Sequence, residues 1–155
     1  MNGGFEESVD GYPANWLLYT NKAAASGDFT LTLNSSDRVE GKQALEFSIN
    51  TCSNKGGYLS PGFTNEFDAK PGRSYLISFY TKSSPETKWI FKLSGVTAKK
   101  GFGEKVISSP AASSNWEKHE LKFTQPENAK RIRMELNVLS TGKFLIDGIE
   151  MHEVN

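Results

Sequence analysis

Residues 131–138 read Arg-Ile-Arg-Met-Glu-Leu-Asn-Val, an unbroken alternation of polar and apolar side chains. Successive side chains of a β-strand point to opposite faces, so this stretch predicts a strand with one face in a core and the other in solvent. Residues 43–50 alternate in the same way, with Leu45, Phe47 and Ile49 on the expected inner face. Residues 28–33 and 119–123 repeat the pattern over shorter lengths. A period of two throughout the chain is typical of antiparallel β-structure.

Other stretches complete the expected set of strands. Residues 75–81 are apolar on both sides and residues 88–93 are similar, which indicates strands whose second face is covered. Glycine and proline turn signals separate the stretches, and no long amphipathic helix is evident. We expect long connections at residues 51–62 and at residues 95–104, the second a mobile loop rich in glycine and lysine. These features predict an all-β fold, a two-sheet antiparallel β-sandwich of jelly-roll type, in a single domain spanning residues 1–155.

Composition and charge exclude several classes of function. The chain has 155 residues, with 18 Lys and Arg balanced by 18 Asp and Glu, so we expect neither nucleic-acid binding nor docking on an anionic membrane. No stretch approaches the roughly 20 apolar residues that a membrane span needs. A single cysteine rules out an internal disulfide. The first residues lack the basic and apolar regions of a signal peptide, although a domain cut from a secreted parent would look the same.

The sequence contains no standard catalytic motif. It has no Gly-x-Ser-x-Gly elbow, no phosphate-binding loop and no His-Glu-x-x-His. Two carboxylates remain of interest, because Glu46 and Glu135 both lie on polar faces of predicted strands and could face one groove. Such a pair could hydrolyse a glycoside if the carboxyl groups lay roughly 5–9 Å apart. The alternative is that both are solvated charges paired with neighbouring lysines or arginines.

Five segments together resemble a known family. They are Asn2-Gly-Gly-Phe-Glu6 ahead of Trp16, Glu40-Gly-Lys-Gln-Ala-Leu45, residues 70–82, residues 116–124 and residues 142–150. In this order and spacing they resemble the β-jelly-roll carbohydrate-binding modules of families four, nine and twenty-two, in the galactose-binding-like superfamily. The resemblance covers essentially the whole chain. It is more specific for the fold than for sugar binding, since relatives include purely structural domains.

The resemblance implies one structural calcium ion. Carried over by position, its ligands would be Glu6, the backbone carbonyl of Lys42 and Asp147, with a further carbonyl from Gly3. Calcium binds six to eight oxygen atoms, and carbonyls with one or two carboxylates suffice. The alternative is that Asp147-Gly148 is a turn or bulge and that Glu6 is a surface charge.

The resemblance also implies a sugar-binding groove on the concave sheet. The matching outward positions are Arg133, Glu135 and Asn137 on one strand, Glu46, Ser48 and Asn50 on a second, and Tyr80 on a third. Trp89 or Phe91 would supply a ring to stack on the sugar, with Tyr58 or Tyr19 as a second ring from a loop. Trp116 is assigned to the core, and Trp16 to either core or rim. A row of several Trp and Tyr side chains is lacking, which argues against cellulose.

Three functions follow from these residues. The first is non-catalytic binding of a polysaccharide or oligosaccharide, as one module of a larger glycan-degrading protein that is secreted or displayed at the cell surface. The second is a structural or protein-interaction domain of the same fold without a sugar site. The third is a small glycosidase or polysaccharide lyase that uses Glu46 and Glu135. The glycan, the affinity, the parent protein and the oligomeric state are open at this point.

Overall fold

The computed structural model describes residues 1–97, 100–108 and 114–154. Its elements are β1 (Ser8–Val9), β2 (Tyr12–Pro13), β3 (Leu17–Tyr19), β4 (Gly27–Asn34), β5 (Ala44–Cys52), a 3-10 turn (Gly57–Leu59), β6 (Gly62–Asp68), β7 (Ser74–Ser83), β8 (Trp89–Thr97), β9 (Lys100–Ser108), β10 (Glu117–Thr124), β11 (Arg131–Val138) and β12 (Gly142–Val154). In the ranges described, no helix has the length and apolar character needed to cross a membrane.

The strands form two five-stranded antiparallel sheets. The front sheet has the order β3-β6-β11-β8-β9, and the back sheet has the order β10-β7-β12-β5-β4. Strands β1 and β2 form a separate small ribbon. The final strand, β12, pairs with both β5 and β7 at the centre of the back sheet. The predicted all-β antiparallel sandwich of jelly-roll type is therefore confirmed.

The alternating pattern decides which side chains enter the core between the sheets. In β11, Ile132, Met134 and Leu136 are fully buried, as the pattern of residues 131–138 predicts. Rings from the two sheets meet there, and those of Phe79 and Phe91 stack with centroids 4.2 Å apart. Because side chains alternate along a strand, this packing turns the polar residues of β11 outward.

Two of the proposed stacking rings belong to this core. Trp89 is 2% exposed and Phe91 is 0% exposed, on the same face of β8 as Leu93. Neither can offer a ring face to a sugar, so their assignment as binding residues is wrong. Trp16 is also buried, and its indole N–H donates to the Asn2 carbonyl at 2.9 Å. Trp116 is only half-buried and donates to Asp37 Oδ1 at 2.9 Å, so it is less enclosed than expected.

The expected mobile loop at residues 95–104 is largely a β-hairpin. Strand β8 continues to Thr97 and β9 begins at Lys100, with Gly95 opposite Phe102 and Thr97 opposite Lys100. The register of the β8–β9 pairing shifts between Leu93 and Gly95. Ala98 and Lys99, which the same expectation included, lie outside the described residues.

Candidate functional site

The predicted sugar-binding residues lie on two opposite faces of the sandwich. Arg133 and Glu135 belong to the outer face of the front sheet. Glu46, Asn50 and Tyr80 belong to the back sheet, on the outward positions of β5 and β7. Since the core separates these faces, no single groove can use both groups. The prediction that they line one groove is therefore wrong.

The same separation removes the proposed catalytic pair. Glu46 and Glu135 point away from each other on opposite outer faces, and the sheets themselves pack about 10 Å apart. Two carboxyl groups that flank one glycosidic bond must lie within roughly 9.5 Å. Glu46 instead faces Lys143 of the neighbouring strand, at 3.6 Å. The glycosidase or lyase hypothesis built on this pair is therefore wrong.

A groove of 420 Å³ opens on the outer face of the front sheet. Strands β3, β6 and β11 supply its lining, which comprises Leu17, Tyr19, Thr64, Asn65, Glu66, Arg131, Arg133 and Glu135. The register explains this set, because Glu135 lies opposite Thr64 and Arg133 opposite Glu66. Residues opposite each other in a sheet share a face, so the outward positions of three adjacent strands form one continuous surface.

One carboxylate in this groove organises two arginines. Glu66 Oε1 accepts from Arg133 Nε at 3.1 Å and from Nη2 at 2.8 Å. Its second oxygen lies 3.4 Å from Arg131 Nη1. The guanidinium groups are thus held in place while part of each remains open, with 30% of the Arg133 side chain and 49% of the Arg131 side chain exposed.

A second hydrogen bond fixes the other carboxylate of the groove. The Tyr19 hydroxyl donates to Glu135 Oε2 at 2.8 Å. Burial of the phenol and the hydrogen bond to Glu135 raise the pKa of Tyr19 well above its usual range, so the hydroxyl stays a donor even in alkaline solution. Lys92 Nζ lies 4.0 Å from Glu135 and 3.9 Å from Glu104, which partly balances the charge.

Asn137 holds a loop and does not offer its amide to the groove. Its side chain is 3% exposed. Its Oδ1 accepts from Gly57 N at 2.9 Å, and its Nδ2 donates to Gly57 O at 2.8 Å. Its assignment as a direct sugar contact is therefore wrong. The loop it holds presents Tyr58, which is 63% exposed and remains available for stacking.

Sequence reasoning missed several groove residues. Leu17 lies on the three-residue edge strand β3, which is too short to show an alternation. Thr64 and Glu66 lie on β6, whose sequence Gly-Phe-Thr-Asn-Glu-Phe-Asp does not alternate cleanly. Arg131 was on the predicted strand but was not singled out. Tyr19 was expected on a loop and lies on β3. The pair Arg131-x-Arg133 is the available signal, because two arginines on the same face of one strand repel each other and are stabilised by a carboxylate on the neighbouring strand.

The residues proposed for calcium do come together, where the chain ends meet. Ile149 N donates to Gly3 O at 2.9 Å. The Glu6 carboxylate accepts from Lys42 N at 2.8 Å. Asp147 is fully buried, and its oxygens accept from Val39 N at 2.9 Å, Glu40 N at 3.1 Å and Gly148 N at 2.8 Å. The pairing of β12 is irregular after Asp147, so a bulge is also present there.

The donor chemistry of this junction suits a hard cation, although its carboxylates already accept backbone N–H groups. Burial raises the pKa of Asp147, with a further contribution from Glu6. Burial and the charges of Asp147, Glu150 and Glu6 raise the pKa of Glu40, which sequence reasoning did not include. Within the described ranges, no three His, Cys, Asp or Glu side chains are arranged to share one metal ion. Ligation would therefore depend on one or two carboxylates and backbone carbonyls.

The outer face of the back sheet is occupied by local contacts. Tyr80 lies against Gly148, where a Cβ would come within 3.1 Å of its ring. The Lys118 ammonium lies 6.0 Å from the ring centroid of Tyr80. Asn50 donates to Asp28 Oδ2 at 3.1 Å. These side chains are placed apart from the groove of the front sheet.

Comparisons with known proteins agree with this architecture. No protein-family model matches the chain. Alpha-L-arabinofuranosidase 1 of Arabidopsis thaliana is 24% identical over 161 residues, covering 99% of this chain and 24% of the relative. The chain therefore spans less than a third of that relative.

Solved structures match along nearly the whole chain. Bacteriophage CBA120 tailspike protein 4, as its enzymatically active domain, superposes with a TM-score of 0.77 at 19% identity, over 99% of this chain and 21% of that one. The family 22 module and catalytic module of Clostridium thermocellum endo-1,4-beta-D-xylanase 10B, complexed with xylohexaose, give 0.68 at 18%, over 99% and 28%. A family 61 carbohydrate-binding module with beta-1,4-galactotriose gives 0.66 at 20%, over 99% and 96%.

Modules of families 4, 16 and 22 also match, with TM-scores between 0.60 and 0.66. The chain therefore has the fold of these β-jelly-roll carbohydrate-binding modules. The expected likeness to families four and twenty-two is confirmed at the level of the fold.

Proposed function

We propose that the chain is a non-catalytic carbohydrate-binding module that binds a glycan on the outer face of the front sheet. One observation carries the proposal. The 420 Å³ groove of that face is lined by charged and hydroxyl side chains that neighbouring residues already hold in position. A site whose donors and acceptors are preorganised loses less side-chain entropy when a ligand binds.

The lining chemistry suits sugar hydroxyls, which both donate and accept hydrogen bonds. Arg133 keeps N–H donors beyond those bound to Glu66, and its planar guanidinium can bridge two vicinal hydroxyls. The Glu135 carboxylate can accept from a hydroxyl with the lone pairs that Tyr19 leaves open. Leu17, 65% exposed, and Tyr58, 63% exposed, offer apolar surface for the C–H faces of a pyranose.

The chain would act as a targeting module within a larger protein. The arabinofuranosidase that it resembles is about four times longer than the chain, and structural matches include a module joined to a xylanase catalytic module. Linking a weak binding module to a catalytic domain raises the effective concentration of that domain on a polymer. Because polysaccharide substrates of this kind lie outside the cell, we place the parent protein in the extracellular space or at the cell surface.

Affinity electrophoresis in gels containing β-glucan, xylan, mannan, β-1,4-galactan or pectin tests this function. The matched variants are Glu135→Gln and Glu46→Gln. Both glutamates point outward, and their side chains are mostly buried, with 16% and 11% exposed. They lie on opposite faces of the sandwich, so only Glu135 belongs to the groove. We expect retardation in at least one gel, which Glu135→Gln weakens and Glu46→Gln preserves. Retardation lost only in Glu46→Gln would overturn the front-sheet site. No retardation in any gel would leave a structural or protein-interaction domain.

We also propose that calcium can bind at the junction of the chain ends, through Glu6, Asp147 and the carbonyls of Gly3 and Lys42. The support is the closeness of the buried Asp147 carboxylate to those of Glu40 and Glu6. Burial raises the pKa of both Asp147 and Glu40, and neighbouring carboxylates raise it further. Bound calcium would cross-link residues 3–6, the turn at residues 40–43 and the final strand. The thermal unfolding midpoint should then rise with calcium relative to chelator. Equal midpoints at millimolar calcium would contradict this proposal without affecting the groove.

A further inference from the structure

Positive charge collects at one corner of the front-sheet groove. Arg131 lines the groove and also a neighbouring cavity of 330 Å³. Lys130 lines that second cavity, next to Arg131. Together with Arg133, these residues form what we call the basic corner: Lys130, Arg131 and Arg133.

The acidic side chains near this corner are fewer than the cations. Glu66 binds both guanidinium groups, as described above. Asp68 lies opposite Arg131 in the register of β6 and β11, and no ion pair within 4 Å joins them among the described residues. Three cations and two carboxylates thus lie at this corner, and of the carboxylates only Glu66 is ion-paired among the described residues. A third carboxylate, Glu135, lies two positions from Arg133 on the same outward face of β11 and places negative charge in the other part of the groove. The excess of one positive charge is therefore local to the corner.

The guanidinium groups of the basic corner also keep unused donors. Arg133 binds Glu66 through Nε and Nη2, and Arg131 approaches it through Nη1 only. Each guanidinium carries five N–H donors in a planar fork that matches a carboxylate. In the described chain, the remaining N–H groups of both residues have no protein acceptor and lie at the wall of the groove.

We infer that the groove selects a glycan that carries a carboxylate, such as a uronic acid, and that this carboxylate binds at the basic corner. The inference rests on the proposed function and specifies its ligand class. The opposite part of the groove, around Glu135 and Tyr19, would then contact neutral hydroxyls of adjoining residues. Neutral glycans of the same linkage would lack the charge-assisted contact with Arg131 and Arg133.

Isothermal titration calorimetry with matched sugars tests this selection. The first pair of probes is an oligogalacturonate and its carboxyl-reduced form, and the second pair is sialyllactose and lactose, which separates a uronate from a sialic acid carboxylate. One charge-assisted contact predicts about tenfold tighter binding of the acidic member of a pair. Because the corner is solvent-exposed, the ratio should fall as salt is raised from 50 to about 500 mM.

Two variants separate the corner from general charge. Arg131→Gln should bring the acid-to-neutral affinity ratio close to one, whereas Lys122→Gln, an exposed cation on the outer face of the back sheet, should leave the ratio unchanged. Equal affinity for acidic and neutral members, or a ratio that survives Arg131→Gln, would overturn the inference while leaving sugar binding intact. Failure of all four probes, together with no retardation in any polysaccharide gel, would instead overturn the proposed function.

Discussion

The Tyr19 hydroxyl donates a 2.8 Å hydrogen bond to the Glu135 carboxylate and so joins edge strand β3 to β11 across β6. This bond fixes the position of one carboxylate in the groove and closes its edge. Burial and the bond to Glu135 raise the pKa of Tyr19, so the hydroxyl keeps its proton in alkaline solution as well. The position of the Glu135 carboxylate in the groove therefore depends on a hydrogen bond between two residues that are 116 positions apart in the chain.

Replacing Tyr19 by Phe should weaken glycan binding and lower stability together. The Tyr19→Phe change leaves Glu135 without its hydrogen-bond donor, which should cost about 1 kcal/mol of unfolding free energy. Urea unfolding and calorimetric titration measure the two effects. In a double-mutant cycle with Glu135→Ala, the two losses should be less than additive, since both changes remove the same bond. Fully additive losses would show that the bond contributes nothing.

Asn137 should act on binding through the loop that it holds. Asn137→Ala removes the contacts to the part-buried backbone of Gly57 and leaves the Gly57 N–H without its acceptor, which should cost roughly 1–2 kcal/mol of stability. It should also weaken glycan binding by releasing Tyr58 from its position. The comparison is Tyr58→Ala, where the exposed ring should reduce affinity but change stability by no more than about 0.5 kcal/mol. Unchanged affinity in both variants would remove Tyr58 from the site.

Phe91 should matter for folding and not for sugar contact. Its ring is fully buried against Phe79. Phe91→Leu should lower the unfolding free energy by about 1 kcal/mol, as core substitutions of modest volume change do. The dissociation constant for glycan should stay the same at a temperature where the variant is folded. A selective loss of binding in a fully folded Phe91→Leu protein would return this ring to the site.

The Glu40 carboxylate should lower the unfolding free energy of the protein at neutral pH when a chelator keeps calcium away. Its pKa is raised by burial and by Asp147, Glu150 and Glu6, so the folded state binds the proton more tightly than the unfolded state. The contribution of Glu40 to the unfolding free energy is therefore fully present at low pH, and it is lost as the pH rises through the pKa of Glu40 in the folded state. Glu40→Gln should therefore stabilise the protein at pH 7, by less than about 1 kcal/mol.

The pH dependence distinguishes charge repulsion from other effects of this substitution. Below about pH 4 the wild-type carboxyl becomes protonated in both states, so the advantage of Glu40→Gln should vanish. Urea unfolding at pH 7 and at low pH, with chelator present, gives the comparison. A benefit of equal size at both pH values would show that the charge of Glu40 is not its cause.

Alternation along single strands was enough to predict the fold and the facing of most side chains. It placed Ile132, Met134 and Leu136 inside and Arg133 and Glu135 outside. It could not assign strands to sheets, because that depends on pairing between distant segments, and so Tyr80 and Glu46 were grouped with Arg133. Alternation also cannot show which face of a strand enters the core when both faces carry apolar side chains. For this reason the sequence alone suggests Phe91 as a ring for stacking on a sugar, although it lies in the core. Glu66 was missed because β6 does not alternate.

The most direct test of the central claim is to map where a glycan touches the sandwich. We would record amide ¹H–¹⁵N spectra while adding xylohexaose, β-1,4-galactotriose and trigalacturonate in turn. The account predicts that the shifted amides belong to β3, β6 and β11, with the largest changes around Tyr19, Glu66 and Arg133. Shifts confined to β5, β7 and β12 would place the site on the back sheet and contradict the account, as would spectra that none of the three sugars changes.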